Sequence, residues 1–215
     1  MVVKIHGMKQ STCTQRVSTV LKELGVAYEV VPVNFATGEH KSEEYIKTKQ
    51  PFGQIPVLED EDGFKLFESR AIARYLAEKY GNGKLLPKDL KAKAQFEQAA
   101  SIEQAQFDPY ASGLSVEKVF KPMRGVQTDE KLAASLQETL EAKLKGYEII
   151  LSKQKYLAGD EVTLADLFHL PYGWMVTEKL GVQALKSDSL PNVKRWWADI
   201  TSRDSWKAVQ AELAQ

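Results

Sequence analysis

The hydrophobic patterning of the chain changes once and does not change back. Up to about residue 80, short β-branched runs alternate with helical patterns, whereas between Leu90 and Leu213 no stretch reads as a strand. Residues 2–6 are short and β-branched, and Gly7 ends them. From Thr12, the apolar side chains Cys13, Val17, Val20, Leu21 and Leu24 recur at helical spacing until Gly25 stops the run. Residues 28–33, Tyr-Glu-Val-Val-Pro-Val, read as a second strand. Strand, helix and strand in that order predict a right-handed crossover between parallel strands. A polar stretch containing Gly38 and a short amphipathic segment around Tyr45 and Ile46 follow. Residues 55–58 and 64–67 then flank an acidic turn whose Asp62-Gly63 predicts a hairpin. A helix opens at Ser69 and runs through Ile72, Ala73, Leu76 and Tyr80 towards Gly81.

The second half is written in long amphipathic helical patterns, among them 91–107, 128–151 and 191–203. The expected architecture is a small α/β domain over residues 1–83 and an all-helical domain over residues 90–215, with residues 81–89 as linker. Thr163 and Asp166 have the spacing of a capping box, and Val162 and Leu167 that of a hydrophobic staple. Pro171 predicts a kink or an early break in the helix they start.

Composition narrows the function classes. Lys and Arg number 29, as do Asp and Glu, and the two signs are interleaved, so no basic patch points to nucleic acid. The single cysteine rules out an internal disulfide framework and a Cys-rich metal site. The histidines His6, His40 and His169 share no metal-ligand spacing, and no metal is expected. No apolar run reaches the roughly 18 residues of a membrane span, and the stretch after Met1 is too short for a signal peptide. The expectation is a soluble protein of a reducing, cytoplasmic compartment. Nucleophile-elbow and phosphate-loop motifs are absent, and Gly81-Asn82-Gly83 follows a helix and lacks the third glycine of a dinucleotide fingerprint.

Four features of the first half converge instead. Residues 7–12 join the first strand to the first helix, which puts Ser11 beside a helix N-terminus that favours an anion; Ser11 or Thr12 acting only as N-cap is the alternative. Pro56 begins a strand, where it cannot donate to a ladder. It is a candidate cis bond that leaves the backbone of Ile55 free for an extended, peptide-like ligand. Glu68-Ser69 stands at another strand-to-helix junction and suits an amino-acid head group, Ser69 for the carboxylate and Glu68 for the ammonium, with helix capping as the alternative. His40-Lys41 offers two donors to a second carboxylate.

Together these strings resemble the soluble glutathione transferases over essentially the whole chain, and most closely their phi class. The resemblance is carried by residues 11–17, 34–42, 51–56 and 66–72, and further along by 107–109, 120–123 and 156–160. It implies a thioredoxin-like first domain, an all-helical second domain, a homodimer with Phe52 as anchor, and glutathione as co-substrate with no permanently bound cofactor. Ser11 would hydrogen-bond the glutathione sulfur and favour its thiolate. His40 and Lys41 would hold the glycine carboxylate, assisted by Gln54. Ile55, before cis Pro56, would pair its backbone with the cysteinyl part, and Glu68 and Ser69 would grip the γ-glutamyl end. Arg16 would support the site from behind. The electrophile pocket would lie between the domains, with Thr12, Phe35, Val116 and Phe120 in its lining. The implied activity is conjugation of glutathione to small hydrophobic electrophiles, with reduction of hydroperoxides beside it. Two alternatives stand against it: a non-catalytic ligand carrier of the same fold, and a thiol oxidoreductase working through Cys13, whose side chain is expected to face inward with Val17, Val20 and Leu21.

Overall fold

The structure, a computed structural model, describes residues 2–213. Two compact units divide it: residues up to Lys84 together with the terminal helix, and Leu85–Arg203.

The first unit is built on four strands, β1 (Val3–Gly7), β2 (Tyr28–Pro32), β3 (Val57–Glu59) and β4 (Lys65–Phe67), in the order β2-β1-β3-β4. The β1–β2 pair is parallel and the other two are antiparallel. Between β1 and β2 runs α1 (Thr12–Glu23), as the crossover requires. Its C-terminal end is a Schellman turn: Gly25, at φ 69°, donates to the Lys22 carbonyl, and Val26 donates to that of Leu21. α2 (Glu43–Thr48) and α3 (Ser69–Tyr80) complete the frame. Ile5, Val17, Val20, Leu21, Leu58, Ile72 and Leu76 are all fully buried, which is the core between the sheet, α1 and α3. Val33, Tyr45 and Val57 form a smaller apolar cluster with Ile55 and Phe67, so α2 is seated through Tyr45.

The acidic turn of the hairpin is less exposed than its charges imply. Gly63 closes it at φ 86°, but the Asp60 side chain is fully buried. Its carboxylate accepts from Lys79 Nζ at 2.6 Å, from the Tyr80 hydroxyl at 3.2 Å and from the Tyr75 hydroxyl. Burial pushes the Asp60 carboxyl up, but these donors and the Glu61 N–H outweigh it and hold it down at about 2.

In the second unit, α4 (Leu90–Ile102), α5 (Asp108–Ser115), the single turn α6 (Lys121–Met123), α7 (Glu130–Leu151), α8 (Leu164–Phe168), α9 (Leu170–Trp174) and α10 (Pro191–Thr201) enclose a core of Phe96, Leu140, Leu144, Phe168 and Trp196. Three π-turns interrupt them, at Glu103–Phe107, Val116–Phe120 and Met175–Lys179. The capping box at Thr163 is formed, and the buried Asp166 also accepts from the Leu157 N–H at 3.0 Å and Trp196 Nε1 at 2.9 Å. Ahead of Pro171 the helix breaks at His169, between α8 and α9. α7 starts two residues later than its pattern, because Asp129 is the N-cap and the Thr128 hydroxyl instead donates to the Glu117 carbonyl.

One expectation about the second half needs correction. Sequence patterning put residues 90–215 in one domain, but α11 (Asp204–Leu213) belongs to the first unit. It buries Trp206 and Val209 and is tied to α1 by Lys22–Glu212 at 2.5 Å and by the Ser205 hydroxyl donating to Glu23 at 2.6 Å. A helix records which face is apolar, not which surface covers it. Among the described residues no helix is long and apolar enough to cross a membrane.

Candidate functional site

Strand pairing alone assembles the site. Val31, His6, Val57 and Phe67 stand in one row across the sheet. β1 and β2 leave the sheet at this end, β3 enters there and β4 leaves there. Residues 8–11, 33–41, 54–56 and 68–69 therefore emerge side by side, although up to sixty residues of chain separate them.

Ser11 caps α1, its half-buried hydroxyl accepting from the Thr14 N–H at a long 3.4 Å. As the acceptor of this bond, Ser11 keeps its hydroxyl proton to donate outward. Thr12 is buried. Cys13, in the first turn of α1, is half-exposed, not packed inward with the fully buried Val17, Val20 and Leu21. Its sulfur is 3.6 Å from Arg16 Nη1. The same nitrogen donates to the Ser69 hydroxyl at 2.9 Å, so the buried Arg16 joins the N-terminal turns of α1 and α3. With its oxygen engaged as acceptor, Ser69 has its own proton to offer a ligand.

Glu68, immediately before α3, is exposed and has φ 70° and ψ 106°. A non-glycine residue held there costs about 1–3 kcal/mol, a cost found mainly at functional positions. The peptide between Ile55 and Pro56 is cis.

His40 and Lys41 lie in a short 3₁₀ turn, Glu39–Lys41. Lys41 Nζ donates to the Phe52 carbonyl at 3.0 Å. Gly53, at φ 61°, lies so close that a Cβ there would stand 2.6 Å from the His40 carbonyl. Two residues that sequence reasoning missed hold this loop. The buried Gln50 accepts from the N–H groups of Phe52 and Gln54 at 2.6 and 3.2 Å, and the Tyr45 hydroxyl donates to the Gln54 carbonyl at 2.9 Å. Gln54 is thus fixed on both sides of its backbone while its side chain stays exposed. Just behind, His6 bonds Glu59 at 2.9 Å and Lys49 at 3.2 Å. An ammonium can only donate, so Nδ1 of His6 accepts and Nε2 carries the proton. Burial lowers the His6 pKa, and Lys49 adds to this against the pull of Glu59.

The four residues expected to line an electrophile pocket are differently placed. Phe35, in the first unit, is 38% exposed and stacks on His40. Val116 and Phe120, in the second unit, sit one turn apart on the π-turn, Val116 exposed and Phe120 half-buried.

A four-stranded mixed sheet of thioredoxin type is followed by an all-helical unit. Residues 1–78 match the profile described as glutathione S-transferase, N-terminal domain, and residues 99–204 match the corresponding C-terminal domain. The chain belongs to the glutathione S-transferase family, and within it to the phi class. It is 57% identical to glutathione S-transferase PM239X14 of Arabidopsis thaliana over 199 residues, covering 91% of this chain and 90% of that one. It is also similar to the crystal structure of glutathione transferase F7 from Populus trichocarpa, with TM-score 0.90, 38% identity and 98% of each chain covered. The structure of glutathione S-transferase I from maize, in complex with an atrazine glutathione conjugate, aligns with TM-score 0.91 and 37% identity over 100% of this chain and 99% of that one.

Proposed function

We propose that this transferase attacks small hydrophobic electrophiles with a glutathione thiolate that Ser11 stabilises. The observation that carries the reading is the Ser11 hydroxyl, weakly bound at 3.4 Å, at the N-terminus of α1 and the sheet end where the peptide-binding junctions meet. A thiol of pKa about 8.5 must ionise about 1–2 pH units lower to be mostly thiolate at neutrality, which takes about 1.4–2.7 kcal/mol. One hydrogen bond to a charged group contributes about 1.5–3 kcal/mol and a helix end about 0.3–1. These two suffice, and proximity to a bound electrophile supplies much of the remaining acceleration.

Around the sulfur, His40 and Lys41 take the glycine carboxylate, Gln54 assists, the backbone of Ile55 pairs with the cysteinyl unit, and Glu68 and Ser69 hold the γ-glutamyl end. Arg16 orients Ser69. Phe35, exposed on the first unit, offers apolar lining to the electrophile. The same thiolate reduces an organic hydroperoxide: sulfur takes the terminal oxygen, the alcohol leaves, and a second glutathione yields the disulfide and water. Phe52, 66% exposed beside Pro51, supports assembly as a homodimer, and the lone cysteine supports a reducing, cytoplasmic setting.

The test is turnover with a panel of electrophiles for wild type and Ser11→Ala, with retention on immobilised glutathione as the binding control. Ser11→Ala should turn over at least about tenfold more slowly and still bind. An unchanged rate sinks the role of Ser11. Retention by a wild type that conjugates nothing makes the chain a carrier.

A further inference from the structure

The turn between β2 and α2 joins two rings to which the sequence assigned different tasks. Phe35 and His40 stack with centroids 3.9 Å apart and planes only 10° from parallel. The turn is knit to hold them there. The Asn34 carbonyl accepts from the Glu39 N–H at 3.0 Å, and the Glu39 carboxylate accepts from the Asn34 N–H at 2.8 Å. The Phe35 carbonyl accepts from the Gly38 N–H at 3.1 Å, and Gly38, at φ 71°, reverses the chain. The Gly38 carbonyl then accepts from the Lys41 N–H at 2.8 Å, which fixes the turn carrying His40.

An imidazole lying flat on another ring cannot rotate about its outer side-chain bond without breaking the stack. Its two nitrogens then point along one plane only. We infer that Phe35 is a positioning residue for glutathione: its ring holds the His40 imidazole in the plane from which a ring nitrogen meets the glycine carboxylate. This rests on the reading of His40 as a carboxylate contact, and it moves Phe35 from lining the electrophile pocket alone to serving the peptide site as well. A merely structural Phe35 would affect every ligand of the site alike. A positioning Phe35 affects only ligands that carry the glycine carboxylate, and only while His40 is present.

γ-Glutamylcysteine lacks the glycine and is the discriminating probe. Dissociation constants for glutathione and for this dipeptide are measured by calorimetry on the full chain. The proteins compared are wild type, Phe35→Leu, Phe35→Tyr, His40→Ala and the Phe35→Leu/His40→Ala double variant. An aromatic pair has a strength that corresponds to about a three- to tenfold loss of glutathione affinity in Phe35→Leu. The dipeptide should lose less than about twofold, Phe35→Tyr should keep wild-type affinity, and the double variant should bind glutathione as His40→Ala does. Equal losses for both peptides in Phe35→Leu, or additive losses in the double variant, overturn the inference and leave the function standing. Equal losses for both peptides in His40→Ala remove the carboxylate contact and the inference with it. A wild type that does not bind glutathione removes the proposed function.

Discussion

Replacing Asp60 by Asn takes a charge away from four donors that converge on it: the Glu61 N–H, Lys79 Nζ and the hydroxyls of Tyr75 and Tyr80. In the folded protein this buried carboxyl ionises at about 2, against about 3.9 for a free aspartate. A folded-state pKa below the unfolded one means that the folded state favours the carboxylate. The stabilisation is complete above pH 3.9 and is lost as the pH falls towards 2. It amounts to about 2.6 kcal/mol at pH 7 and about half of that at pH 3. The assay is urea unfolding at the two pH values, followed by the fluorescence of Trp206 and its fellow tryptophans, for wild type and Asp60→Asn. The variant should lose about 2–3 kcal/mol at pH 7, and the gap should narrow by about 1.3 kcal/mol at pH 3. A loss below about 1 kcal/mol, or a gap independent of pH, refutes the reasoning. The turn lies at the far end of β3 from Pro56, so glutathione affinity of the folded variant should stay at its wild-type value.

Two other substitutions probe the frame of the site. His6, harder to protonate when folded, gives stability that is complete above its ordinary pKa of 6.5 and declines as the pH falls below it. His6→Gln, able to accept from Lys49 and donate to Glu59, should flatten the thermal midpoint between pH 7 and 5; an unchanged slope would place the acid sensitivity elsewhere. Glu68→Gly should relieve the positive φ and raise unfolding stability by up to about 1 kcal/mol while weakening glutathione binding. A gain in stability with undiminished binding would show that the strained Glu68 serves no ligand.

Local signals proved legible because the cause of each lies within a few residues. Gly25 ends α1 because a left-handed residue is needed there, and Asp62-Gly63 turns the hairpin for the same reason. Thr163 caps α8 through Asp166, three residues on. The partners of Asp60 are 15 to 20 residues away on α3, and nothing in a run of acids tells which one will be buried. Gln50 and Tyr45 were missed for a related reason. A glutamine in a loop and a tyrosine on a short amphipathic helix have ordinary explanations until the backbone they clamp is in view.

By itself the sequence determined the order of elements, the change from mixed α/β to helix, and the junctions between strands and helices. Periodicity, caps and turns are local physics, and the junctions followed from the elements they connect. Only the tertiary structure decided that α11 packs on α1, that Arg16 reaches Ser69 across 53 residues, and that Phe35 lies on His40. Each of these depends on which surfaces meet, and burial and hydrogen bonding at a contact are properties of both partners, which no single segment encodes.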